Sequence, residues 1–316
     1  MTSNPVVHPS MLASGSETPE TLLRAVPILP MKMSFFERYG LLAILLLVVS
    51  VGGLLFYERD HDVRMKQGLI AAIEKGNSDE VLKLLSAGAD PNTVTTKLVN
   101  KPSVGNLLRC TLPDDIRKRG DHKTTALMMA VMSRHGYLVS LLLDKGAHVN
   151  EQDEYGSTAL NIAVAEGRLD MVQQLLEHGA DANQPNLSRL PTLNWAIMLR
   201  ESSIVHALLE KGADARAEDG TGMSALYLAC VGEDVPVARL LLDKGASAST
   251  TYKGWSTLRL AVSVDNPDLV RLLLEKGADS DEKLPDGRSL LQSAIENKRF
   301  HVIPLLKPSQ PLTVKR

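Results

Sequence analysis

The side chains able to do chemistry in this chain are few and scattered. Eight histidines and two cysteines are spread over 316 residues. Nucleophilic chemistry would need a nucleophile beside a base, zinc chemistry a cluster of His and Cys at ligand spacing, and phosphate chemistry a glycine-rich loop ahead of a helix. None of these patterns occurs. His178 lies in a Glu-His-Gly-Ala step after an aliphatic run, where a cation suits the negative end of a helix. His148 falls in the corresponding loop one step earlier. Neither has a catalytic partner at local spacing, so the sequence predicts no enzyme, no metal and no cofactor. The remaining candidates are residues of recognition. Tyr155, Arg189, Tyr252, Trp255 and Arg288 are of types that concentrate binding energy at protein interfaces. A second, basic group is Lys101, Arg109, Arg117, Lys118 and Arg119.

The elements that must position these residues follow a recurring phrase. Gly-Ala-Asp or a close variant begins at Gly88, Gly146, Gly179, Gly212, Gly245 and Gly277, and the last five are spaced by 33, 33, 33 and 32 residues. Each follows an aliphatic run such as Val172 to Leu176. Ahead of each run stands a hydroxyl step, Thr125-Ala126-Leu127, Thr158-Ala159-Leu160, Ser224-Ala225-Leu226, Ser256-Thr257-Leu258 or Ser289-Leu290-Leu291. A hydroxyl there can accept a hydrogen bond from the free amides of a helix start. An alanine column follows: Ala130, Ala163, Ala196, Ala229, Ala261 and Ala294. Gly then supplies the left-handed residue that ends the second helix. A period near 33 is the mark of a stacked array, each unit burying its apolar face on the next.

The unit Gly156 to Asn183 resembles an ankyrin repeat, and copies in register cover about 68–307. The resemblance implies an all-α solenoid of antiparallel helix pairs with hairpin-like loops projecting at right angles. It also implies partner binding through loop tips and the face of the first helices. Seven units are expected, at about 68–92, 122–150, 155–183, 188–216, 221–249, 254–281 and 287–307. In the last, Pro304 removes an amide donor and shortens the second helix, as suits a terminal cap. The His common in the family after its T-P-L step is absent. Met128, Asn161, Asn194, Tyr227, Arg259 and Gln292 take its place, which puts the usual loop-to-loop bonding in doubt. Arg189 stands where other units have Gly156, Gly222, Gly254 and Gly287, so a reshaped loop is expected there. Trp255 aligns with Ser157 and Met223, which makes it the leading contact residue; packing on Tyr252 is the alternative. Trp195 aligns with Ile162, Leu228 and Leu260 and reads as core. Cys230 stands where a helical Ala would and reads as a small core residue. Cys110 lies about three repeats away, too far for a disulfide.

Two stretches depart from the array. Gly88 to Gly146 is one step too long, with an insertion at about 95–121 carrying the basic group. It reads as an extended loop, with a degenerate repeat as the alternative, and offers a surface for an acidic protein or anionic lipid. The second stretch, 40–57, holds 18 consecutive uncharged residues. At a rise of ~1.5 Å per residue it spans a thin bilayer core. A transmembrane helix is therefore expected at 39–57, after a disordered segment 1–38 rich in Pro, Ser and Thr and before a short linker 58–67; a tail follows at 308–316. An uncleaved anchor is preferred over a signal peptide cut near Ser50-Val51-Gly52. Translation from Met1, Met31 or Met33 is left open. Flanking Lys and Arg are nearly balanced. A short basic head inside would put the repeats outside, in a bacterium the periplasm. The net charge of −2 gives no pull toward nucleic acid. Three functions are compatible: a tethered protein-binding scaffold, an inhibitor or immunity protein neutralising a secreted toxin such as a lipase, and a cytosol-facing adaptor.

Overall fold

The computed structural model describes residues 35–95, 123–186 and 189–306. It divides into two units, Met1–Arg59 and Asp60–Arg316. The basic insertion, the N-terminal residues 1–34 and the tail from 307 lie outside the described residues. Helix α1, Phe35–Lys75, has 41 residues. Its backbone is described throughout, but most side chains of 40–57 are not. Among the described residues no helix is long and apolar enough to cross a membrane; most side chains of the expected anchor are outside what the structure describes.

The linker expected at 58–67 is helical, because α1 runs through it without a break. The reason is local. Glu58 to Lys66 contains no Gly or Pro, and Arg64 pairs with Asp60 one turn back. The end of α1 is the first helix of the array, burying Leu69, Ala72 and Ile73.

After α2 (Ser78–Ser86), β1 (Val94–Thr95) and β2 (Thr124–Thr125), helix pairs follow with near-constant lengths. They are α3 (Ala126–Met132) with α4 (Gly136–Asp144), α5 (Ala159–Ala165) with α6 (Leu169–Glu177), and α7 (Thr192–Met198) with α8 (Ser202–Glu210). Next come α9 (Ala225–Val231) with α10 (Val235–Asp243), strands β3 (Thr251–Tyr252) and β4 (Trp255–Ser256), then α11 (Thr257–Ser263) with α12 (Pro267–Glu275). The last pair is α13 (Leu290–Glu296) with the four-residue α14 (Ile303–Leu306), which contains Pro304. The two hairpins add short antiparallel pairing to the expected all-α array.

The hydroxyl steps act as caps. Thr125, Thr158, Ser224, Ser256 and Ser289 each accept from the amide three residues on, at 2.9–3.3 Å. The alanine column is fully buried in every pair, and Cβ-sized side chains there let neighbouring first helices close on each other. The repeated glycines have φ between 84° and 98°, the left-handed conformation that ends each second helix.

Asn92 joins the first unit directly to the second. Its side chain donates to the Gly146 carbonyl at 3.4 Å and accepts from the His148 amide at 2.7 Å. Val94 and Thr95 pair with Thr125 and Thr124. The insertion therefore leaves and re-enters at one hairpin, with units one and two stacked on each other.

Ion pairs also repeat from unit to unit. Lys244 meets Glu210 at 2.8 Å and Lys276 meets Asp243 at 2.6 Å. The lysine hydrogen bond holds each carboxyl below its ordinary range. A carboxyl depressed on folding adds stability above its unfolded pKa and loses it as pH falls through the folded one. Melting temperature is expected to fall as pH drops below about 4, with a shallower slope in the Lys244→Gln, Lys276→Gln double variant. The effect is small because both pairs are exposed.

Candidate protein-recognition surface

The loop tips are held by an asparagine bracket that runs up the array. Asn150 donates to the Gly179 carbonyl at 3.1 Å and accepts from the Asp181 amide at 2.8 Å. Asn183 repeats both bonds to Gly212 and Asp214, at 2.9 and 2.8 Å. In the next unit Arg216 keeps the first bond, to Gly245 at 2.8 Å. The bracket does the loop-to-loop bonding for which the missing His left no candidate. Its signal in the sequence is an Asn four residues after the Gly, at Asn92, Asn150 and Asn183.

Each tip then turns on an acid or its amide. The Asp153 carboxylate accepts from the amides of Tyr155 and Ser157, and that of Asp219 from Thr221 and Met223. In unit four Asn186 takes this role, accepting from the Leu190 amide at 3.1 Å. Arg189 has φ +53°. It adopts the same left-handed conformation as Gly156, Gly222, Gly254 and Gly287, and its amide donates to the Asn186 carbonyl at 3.0 Å; residues 187 and 188 of this loop lie outside the described residues. An L-residue there carries a steric cost of roughly 1–2 kcal/mol. Arg189→Gly is therefore expected to raise stability by about 1 kcal/mol, read from the urea midpoint.

The sequence candidates fall into different environments. Arg189 is exposed. Tyr155, expected at an open tip, is only 9 % exposed. Its backbone amide donates to the Asp153 carboxylate at 2.9 Å. Tyr252 is half-buried; its ring meets Tyr227 at 5.3 Å between centroids, with the Lys253 ammonium 5.0 Å over it. Trp255 is 38 % exposed. Its indole carries the Arg259 guanidinium 4.0 Å over its face. Arg288 is held by Asp286 and Glu296. Trp255 and Arg288 share one groove, while Arg189 lines another with Asn183, Pro185 and Glu218. The basic residues Lys101, Arg109, Arg117, Lys118 and Arg119 lie outside the described residues.

Sequence reasoning missed a line of exposed apolar side chains. Met198 and Val231 end α7 and α9 and are 59 % and 54 % exposed; Val264, just past α11, is exposed too. They recur every 33 residues on successive first helices. The periodicity was visible, but the exposure was not.

Cys230 is fully buried in α9, and burial pushes its thiol up to about 12. A thiolate is the reactive form. In a Cys110→Ser background, Cys230 is expected to stay unlabelled by maleimide until the fold is denatured.

The family model for ankyrin repeats, three copies, matches residues 69–186 and 193–284. The chain belongs to the ankyrin-repeat family. Its helical solenoid is similar to the ankyrin repeat domain of Bcl-3, a member of the IkappaB protein family, at 26 % identity and a TM-score of 0.56, over 73 % of this chain and 97 % of that one. No curated protein matches its sequence. Ankyrin arrays are non-catalytic modules that bind proteins, and this one is a protein-binding module.

Proposed function

We propose that the protein is a membrane-tethered scaffold that holds one protein partner against its first helices and loop tips. The exposed line of Met198, Val231 and Val264 carries this reading. Apolar side chains recurring at one register on a rigid array make a surface that gains by being covered. The likeness to an IkappaB-family ankyrin domain fits non-catalytic protein binding.

The tether rests on the 18 uncharged residues at 40–57. Leu47, Val49, Val51 and Tyr57 are exposed on α1; in a bilayer the aliphatic ones would face lipid and Tyr57 the interface. A short basic head with Lys32 and Arg38 held inside supports a non-cytosolic placement of the repeats, in a bacterium the periplasm. Alkaline phosphatase fused after Arg316 should then be active and a cytosolic fluorescent reporter dark. The reverse pattern would favour the cytosol-facing adaptor. Release of the full chain from membranes by carbonate wash would remove the tether.

A further inference from the structure

We propose that the groove between the last two units is a carboxylate-recognition subsite that takes an acidic side chain, with aliphatic neighbours, from the protein partner. This rests on the protein-binding reading above and adds the chemistry of what is bound.

The groove has a volume of about 290 Å³ and lies among Trp255, Arg259, Leu284, Arg288, Leu290 and Arg299. Its apolar floor comes from Leu284 and Leu290, both buried. Its charge comes from three arginines in different states. Arg288 is neutralised by Asp286 and Glu296. Arg259 is stacked on Trp255 and makes one long bond, to the Gly254 carbonyl at 3.3 Å. Stacking occupies the face of a guanidinium and leaves its N–H edge for a carboxylate. Among the described residues no acid pairs with Arg259 or Arg299. The Nε of Arg299 is buried with no acceptor, an arrangement that leaves a desolvated charged donor unsatisfied.

Position 299 opens the last second helix, a register at which His135, Arg168 and Glu201 form no side-chain cap. At the equivalent place in units five and six, Asp234 and Asn266 accept from the amides of Val237 and Leu269 and cap the second helix. An arginine has no acceptor with which to cap. Its side chain lines the groove instead.

Charge selects the occupant. With Asp286 and Glu296 counted against the three arginines, the groove keeps one positive charge in excess. That matches a single carboxylate better than a doubly charged phosphate. Residues 307–316 contain Lys307, Lys315 and Arg316 and no acidic side chain, so their side chains offer the groove no carboxylate. The floor of Leu284 and Leu290 suits aliphatic residues flanking the acid.

The test is a titration of the full chain in detergent micelles, followed through the Trp255 indole NMR signal, which is assigned by its loss in Trp255→Phe. The probes are acetyl-Leu-Val-Glu-Val-Leu-amide, its Gln counterpart, inorganic phosphate and phosphatidylserine vesicles. The acidic peptide is expected to saturate the shift. The amide peptide and phosphate should bind at least about ten-fold more weakly, which is about 1.4 kcal/mol. Arg299→Gln and Arg259→Gln should each weaken the acidic peptide about ten-fold with the melting temperature unchanged, and Arg299→Lys should lose less. Equal binding of the two peptides, preference for phosphate or vesicles, or no saturation by about 10 mM peptide would overturn the proposal. Such a failure would leave the protein-binding reading standing, since cross-linking at Val231, which does not line this groove, tests that reading separately.

Discussion

Truncating Leu175 to alanine is expected to lower the unfolding free energy by about 3 kcal/mol. Leu175 lies in α6, in the middle of the array, and is fully buried. Removing a buried leucine side chain costs the lost transfer free energy plus the cavity that remains. In a solenoid each unit is stabilised by both neighbours, and α6 packs against α4 and α8 as well as its own partner α5. The cavity therefore weakens the centre, and the two halves of the array lose part of their coupling. Urea denaturation followed by helical circular dichroism reads this as a lower midpoint. Leu82→Ala, on the exposed face of α2, is the control and should change stability by less than about 0.5 kcal/mol. A Leu175→Ala cost below about 1 kcal/mol would mean that the site collapses around the smaller residue.

Replacing Pro191 by threonine is expected to do the opposite and raise stability by about 1.5 kcal/mol. Two asparagines, Asn161 and Asn194, stand in one register. In unit three the Asn161 side-chain carbonyl oxygen accepts from the Thr158 amide at 2.9 Å, while the Asn161 backbone amide donates to the Thr158 hydroxyl oxygen at 3.3 Å. This is a reciprocal capping box. In unit four Asn194 is fully buried and donates to the Met223 carbonyl at 3.1 Å. Its carbonyl oxygen has no partner. The residue that should supply one is Pro191, which has neither amide hydrogen nor hydroxyl. Threonine would restore both. A cap is worth about 1 kcal/mol and satisfying a buried acceptor about 1–3 kcal/mol; losing proline's restriction of the unfolded chain takes back up to about 1 kcal/mol. Pro191 already has φ −61° and ψ 142°, an extended conformation open to threonine. Pro191→Ala supplies the amide without the hydroxyl and should fall between the two. A threonine variant no more stable than the alanine variant would show that the hydroxyl adds nothing.

The array was legible because its determinants are local. A hydroxyl cap, an alanine and a terminal Gly each act within one unit, so their spacing shows the helix pairs directly. The asparagine bracket was not read, because Asn150 meets Gly179 and Asp181 across a unit boundary; the Asn four residues after the Gly marks the position but not its partners. The left-handed residue between paired helices is Gly76 or Gly167 in two units but Arg134, Arg200, Glu233, Asp265 and Lys298 in others, so a glycine search finds only part of the pattern. Arg189 likewise holds the left-handed conformation without a glycine. The candidate site was half legible. Trp255 stood out by residue type, but its partner Arg259 was read only as a substituted His. Tyr155 looked exposed because burial of a tip depends on the turn beneath it.

The most direct test of the central claim is photo-cross-linking in the native membrane. Benzoylphenylalanine is placed at Val231 or Trp255 on the proposed surface, and at Ser203 on the exposed side of α8 as control. One protein adduct of the same identity is expected at Val231 and Trp255, with none at Ser203. Adducts equally strong at Ser203, or none at the two surface positions, would contradict the account.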